Sequence, residues 1–192
     1  MNLPTPPSSP FAAVSLQRLW RPIVAMILVI VVSNIAVQYP LNDWLTWGAF
    51  TYPFVFLVSD LTNRAVGAAS ARKVAWAGFA VAVVLSWWIA DPRIAVASGT
   101  AFIVSQLLDI TVFNRWRAQS WWKAPFFGSM IGSVIDTALF FSIAFVGTQV
   151  PWMSLAVGDL AAKWGMALLL LAPYRAMLDH LGWWAPQAEA TS

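Results

Sequence analysis

The stretch Tyr52–Pro53–Phe54–Val55–Phe56–Leu57–Val58–Ser59–Asp60–Leu61–Thr62–Asn63–Arg64 begins apolar and ends by delivering a carboxylate, an amide and a guanidinium. Residues three and four apart are neighbours on a helix, so Asp60, Asn63 and Arg64 share one face, and the Asp60 to Arg64 spacing allows an ion pair between turns. Three further polar groups interrupt apolar sequence: Ser105, Gln106 and Asp109; Asp136, in step with Gly128 and Gly132; and Asp159 with Lys163 one turn on. Asp60, Asp109, Asp136 and Asp159 are thus four of the eight acidic residues, all in segments apolar enough for a bilayer. A charge at mid-helix costs roughly 2.5–3.5 kcal/mol on insertion scales, so four together point to a functional site rather than to packing. Asp60 and Asp136 are the preferred pair of that site. Any one carboxylate could instead be a buried hydrogen bonder, and Asp109, near a helix end, could be solvated at the interface. Asp159 and Lys163 read either as a coupling pair or as a structural ion pair that neutralises itself along one helix. Trp164 is the mid-helix exception among tryptophans that otherwise sit near helix ends. An indole beside carboxylates and amides suits a flat, hydrogen-bonding heterocycle, and packing against lipid or core is the competing reading.

This is a set of binding groups more than a set of bond-breaking ones. The single histidine, His180, lies near the C-terminus, so neither a histidine metal site nor a nucleophile–histidine arrangement is available within the apolar segments. An oxygen-only cation site and intramembrane aspartyl chemistry stay open in principle. There is no cysteine, which removes disulfides and thiol catalysis, and no glycine-rich phosphate loop, so the chain does not hydrolyse ATP itself. No cofactor, no metal and no enzymatic activity are expected. The net charge of +3 and pI near 9.7 do not imply nucleic acid, because the basic residues cluster beside predicted helix ends.

The elements that position these groups are membrane helices. Of 192 residues, 60% are hydrophobic and 10% charged, with mean hydropathy +0.70, whereas a soluble domain carries about 25% charged residues. Long apolar runs favour helices over a barrel, whose signal is short alternating strands. An all-α integral membrane protein with six transmembrane helices is predicted: Pro22 to Val37, Trp44 to Val66 after a turn at Leu41 to Asp43, Val74 to Ala90, Ile94 to Asn114, Trp121 to Val146, and Trp152 to Tyr174. Pro53 should kink the second helix, Gly67 to Lys73 should be a loop, and Pro173 should end the sixth helix. Residues 1–16 read as a disordered Pro/Ser-rich tail, 17–178 as the membrane domain and 179–192 as a C-terminal tail. The first apolar run is too long, and Val37–Gln38–Tyr39–Pro40 too bulky, for a cleaved signal peptide. Arg18, Arg21, Arg64, Arg72, Lys73, Arg115, Arg117, Lys123 and Arg175 fall on one side and only Arg93 on the other, so both termini should be cytoplasmic. Phe56–Leu57–Val58–Ser59–Asp60–Leu61 is echoed by Phe102–Ile103–Val104–Ser105–Gln106–Leu107, which suggests two polar half-sites. Small residues at Gly128 and Gly132 let helices approach closely, turning Asp136 into a helix–helix contact or supporting a homodimer.

Three motifs taken together, Tyr52–Pro53 with Leu57–Val58–Ser59–Asp60–Leu61–Thr62–Asn63–Arg64, Ser105–Gln106–Leu107–Leu108–Asp109 with Phe113, and Ser133–Val134–Ile135–Asp136–Thr137 with Phe140–Phe141, resemble the queuosine precursor transporter family, also described as a vitamin uptake family. The resemblance runs from the second helix to the sixth. It implies a six-helix, multi-pass protein of the bacterial inner membrane that imports the 7-cyano or 7-aminomethyl 7-deazaguanine precursors of queuosine for tRNA modification. Such a nucleobase-like substrate offers an N1–H and an amine to a carboxylate of Asp60 or Asp136, with Asn63, Gln106 and Asp109 completing the cavity and Arg64 holding Asp60 ionised. Two other classes stay open: a substrate-binding membrane subunit of an ATP-driven vitamin or nucleobase uptake complex, and a non-transporting scaffold assembled through Gly128 and Gly132.

Overall fold

The structure, a computed structural model, describes residues 16–181 other than 38, 90 and 91. Its elements in chain order are α1 (Leu16–Ala36), β1 (Pro40–Asn42), β2 (Leu45–Thr46), α2 (Gly48–Thr51), α3 (Pro53–Val66), α4 (Ala68–Ile89), α5 (Pro92–Trp116), α6 (Lys123–Phe145), α7 (Trp152–Leu169) and α8 (Leu171–Leu181). Among the described residues, five stretches are long and apolar enough to cross a bilayer: Leu19–Ala36, Ala68–Leu85, Pro92–Trp116, Lys123–Phe145 and Trp152–His180. The molecule is a helical membrane protein with its polarity turned inward. In α7 the buried residues are Lys163 and Ala167, while Met153, Val157, Leu168 and Leu169 are exposed. Apolar side chains facing out around buried ionisable ones is the pattern a lipid solvent selects.

The second predicted helix is not one helix. Its first residues form a small antiparallel hairpin in which Pro40 pairs with Thr46 and Asn42 with Leu45. The Trp44 N–H donates to Asn42 Oδ1 at 2.8 Å, a local turn bond that competes with helix at this point. Hydropathy alone could not separate Trp44 and Leu45 from the run that follows. Pro53 then stands at the first position of α3, one helical residue (Tyr52) after α2 ends, so the column is interrupted at the proline, where its missing N–H costs nothing. The predicted loop Gly67 to Lys73 shrinks to Gly67 alone. Its φ of +88° and its N–H bond to Asn63 O let α3 turn into α4 in one residue.

At the other end, the chain breaks at Leu170 and α8 continues through Pro173, which sits in the first turn of that helix and is tolerated there. Asp179 and His180, expected in the tail, are therefore helical. Helix α1 likewise begins six residues before Pro22. The remaining tail residues, Trp183 and Trp184 among them, lie outside the described residues.

The small-residue face of α6 is occupied within the chain. Gly128, Ser129, Gly132 and Ser133 are buried, and a Cβ on Gly132 would stand 2.8 Å from the Phe56 ring while one on Gly128 would collide with the Asp109 carboxylate. Within the chain, α3 and α5 pack on this face at Gly128 and Gly132. Arg93, alone on its side by sequence, donates to the Ile143 and Val146 carbonyls at the end of α6 and satisfies acceptors that the helix cannot.

The hairpin is seated on α7 at Gly158, where a Cβ would strike the Trp44 carbonyl. Gly158→Ala is expected to push the hairpin off and to cost about 1–3 kcal/mol, as overpacking does. Thermal unfolding in detergent measures it. Gly165→Ala, with open space on the same helix, is the control and should be neutral or slightly stabilising.

Candidate binding site

A cavity of about 410 Å³ occupies the half of the bundle that holds the end of α1, the hairpin and the start of α5. Its walls are apolar and aromatic, with Trp44, Phe140, Phe141 and Phe145, and its small polar groups come from Ser33, Asn34, Thr46 and Ser98. The charged groups are gathered at one end: Asp136 on α6, Asp159 and Lys163 on α7, with Tyr52 beside them. This volume lies within the range of about 300–1,000 Å³ usual for small-molecule sites.

The charged end is closely bonded. Lys163 Nζ donates to Asp136 Oδ2 at 2.8 Å, to Asp159 Oδ2 at 2.5 Å and to Thr137 Oγ1 at 3.3 Å, which uses its three protons. Thr137 in turn donates to Asp159 Oδ2 at 2.8 Å. The Tyr52 hydroxyl donates to Asp136 Oδ1 at 3.0 Å, with Ser105 Oγ at 3.3 Å from the same oxygen. Two carboxylates against one ammonium leave a formal charge of −1 facing the cavity. Asp136 is therefore held from three directions. Asp159 Oδ1, by contrast, receives no bond from the described residues and keeps its acceptor capacity for a ligand.

The predicted site divides into two layers. Asp136 lines the cavity, together with the Asp159–Lys163 pair that the i, i+4 spacing had suggested. Asp60, Asn63, Gln106 and Asp109 do not line it. They are packed one level deeper between α3, α5 and α6, Asp60 at 2% and Asp109 at 0% exposure, with the Asp109 carboxyl and the Ser129 hydroxyl as the polar neighbours of Asp60. Asn63 Nδ2 donates to the Ile110 carbonyl at 3.3 Å and ties α3 to α5 there. Arg64 lines neither the cavity nor the small void beneath it, beside Asp60. Its Nε donates to the Tyr174 hydroxyl at 3.1 Å, its Nη1 to the Arg117 carbonyl at 2.8 Å, and Arg117 Nη2 returns a bond to the Arg64 carbonyl at 2.8 Å. Partial burial and the adjoining Arg64 charge push the Arg117 guanidinium below its ordinary value, a repulsion that the reciprocal main-chain bonds offset. Trp164 is 38% exposed and is not among the residues that line the cavity. Tyr52 and Thr137 are the site residues that the sequence reading missed. Tyr52 stood in the leading motif, but its hydroxyl meets Asp136 of α6 only through the packing of α3 on α6, which no pattern along one helix shows.

A chamber with apolar walls and a charged end, enclosed in a multi-pass helical bundle, places the protein among helical membrane proteins with an internal cavity. The family described as "Putative vitamin uptake transporter" matches residues 46–91 and 88–177. The "Queuosine precursor transporter" of Escherichia coli is 36% identical over 185 residues, covering 81% of this chain and 84% of that one. A Haemophilus influenzae protein named "Probable queuosine precursor transporter" is 35% identical over 188 residues, covering 77% and 80%. The chain belongs to this transporter family. It is a multi-pass protein of the bacterial inner membrane. No solved structure matches it.

Proposed function

We propose that the chain imports a 7-deazaguanine precursor of queuosine, the cyano or the aminomethyl compound, and acts without an ATPase partner. The observation that carries this reading is the charged end of the cavity, where Asp136, Asp159, Lys163 and Tyr52 converge beneath aromatic walls. A guanine-like base presents N1–H and an exocyclic amine along one edge, two parallel donors that a carboxylate accepts well. Asp159, whose Oδ1 receives no bond from the described residues, accepts from one donor of that edge, the exocyclic amine; Asp136 holds Lys163 and Tyr52 in position around it. The names of the E. coli and H. influenzae relatives support the substrate class.

In this reading the membrane is crossed six times. The column from Gly48 to Val66 is about 28 Å long at roughly 1.5 Å per residue, against a hydrocarbon core of about 30 Å, so α2 and α3 supply the crossing that composition alone does not count. Six crossings return both termini to one side, and the basic residues make it the cytoplasmic side. The cavity then opens outward, as an importer awaiting substrate requires, with the Arg64–Tyr174–Arg117 bonds closing the cytoplasmic end.

Thermal unfolding of the purified protein against a panel of 7-deazaguanines, guanine and unrelated vitamins tests this. A ligand that binds only the folded state stabilises it by about 2.7 kcal/mol at a hundred times its Kd. The expected result is a shift confined to the 7-deazaguanines and lost in Asp159→Asn. Equal shifts with every base, or none with any, would remove the assignment.

A further inference from the structure

Beneath the cavity lies a group of buried polar residues that substrate binding does not use. Asp60 and Asp109 bring their carboxyls together across α3 and α5, and both are shut off from the cavity and from solvent. Asp60 Oδ1, both Asp109 oxygens, Asn63 Oδ1 and both polar atoms of Gln106 accept or donate no hydrogen bond among the described residues. Asn63 and Gln106 are fully buried, and each stands one helical turn from one of the two carboxyls, Asn63 after Asp60 and Gln106 before Asp109. Buried polar atoms left in such number are costly unless some state of the protein satisfies them. A void of about 10 Å³, the room one water takes, adjoins Asp60, Ser129 and Ser133. Lys163 lines both this void and the cavity above it.

We propose that the Asp60–Asp109 pair takes up and releases one proton in each transport cycle and so couples import to the proton gradient. This rests on the import reading above. Two facing carboxylates in a buried site repel each other, and one proton converts them to a carboxylic acid bonded to a carboxylate. The remaining charged groups are arranged for such a step. Arg64 on α3 and Arg117 after α5 stand on the cytoplasmic side with Tyr174 of α8, while Asp136 on α6 and Asp159 with Lys163 on α7 stand on the cavity side. From α1, packed on α3, and from α4, packed on both α3 and α5, the buried polar groups are Ser33 and Ser70, neither of which titrates in this range. A metal cation is the poorer occupant, because the Lys163 ammonium shares the void. The proton enters from the cavity along Lys163 and the void, and leaves when the Arg64–Tyr174–Arg117 closure opens. Proton uptake takes the pair from −2 to −1 and its release restores −2, so the site returns unchanged.

The test uses the full chain in liposomes, with a pH-reporting dye inside and the 7-cyano compound outside; this ligand carries no aminomethyl group and brings in no proton of its own. With the outside one pH unit more acid, one-to-one coupling accumulates substrate about tenfold and acidifies the lumen as it does so. Asp109→Asn and Asp60→Asn should keep the ligand-dependent thermal shift while accumulation falls to equilibration and the acidification disappears. Uptake without acidification, uptake driven by a sodium gradient instead, or full accumulation by both variants would overturn the coupling and leave import standing. Wild-type protein that neither shifts with ligand nor takes it up would overturn import and coupling together. Should both variants fail to fold, the wild-type measurement of proton movement decides alone.

Discussion

Lys163→Met is expected to lower stability by about 3–5 kcal/mol, the usual consequence of stripping a buried ion pair of one partner, and to abolish uptake. Lys163 is 5% exposed, and its ammonium is the shared counter-ion of Asp136 and Asp159 on facing helices. Methionine fills a similar volume, so little of the loss comes from packing. What remains is a formal charge of −2 beside aromatic walls, with Thr137 and Tyr52 as the nearest donors. The same electrostatics predict a rescue. Combining Lys163→Met with Asp136→Asn and Asp159→Asn removes the uncompensated charge and should recover most of the stability while uptake stays absent. Thermal unfolding in detergent measures the first and liposome uptake the second. A single variant that unfolds like the wild type would show that the three charges are solvated from the cavity rather than by one another.

The sequence carried the polar inventory of the molecule more clearly than its geometry. Four intramembrane aspartates, the Asp159–Lys163 spacing and the small residues around Asp136 were all visible, because each depends on composition or on a period along one helix. Pairings between helices were not. Asp60 meets Asp109 and Asp136 meets Lys163 by virtue of how α3, α5, α6 and α7 rotate against one another, and no single-helix pattern encodes that rotation. This is why the expected Asp60–Asp136 pair resolves into two layers, one lining the cavity and one beneath it. The hairpin at Pro40–Thr46 was hidden for a different reason: Trp44 and Leu45 are as apolar as a membrane helix requires, and the turn chemistry rests on Asn42. Trp164 lies outside the cavity lining because a residue's level in the membrane can be read from sequence while the direction it faces cannot.

The substrate-reading role of Asp159 can be isolated by pairing a protein change with a ligand change. Asp159→Asn keeps the shape of the side chain, and its amide oxygen can still accept from Thr137, so the fold should survive. It replaces one charged acceptor at the cavity surface with a neutral amide. A hydrogen bond to a charged group contributes about 1.5–3 kcal/mol, so affinity for the 7-deazaguanines should fall roughly 10- to 100-fold. An analogue without the exocyclic amine should lose a similar factor on the wild-type protein, since it leaves the carboxylate oxygen short of a donor. If Asp159 accepts from that amine, the two losses do not add: the analogue should bind the Asp159→Asn variant nearly as well as the full ligand does, giving a coupling of more than about 1 kcal/mol. Affinities from ligand-dependent unfolding complete the cycle. Strictly additive losses would separate Asp159 from the amine and pass its reading to Asp136, whose oxygens already serve Tyr52 and Lys163 and would have to exchange one of those bonds for the ligand.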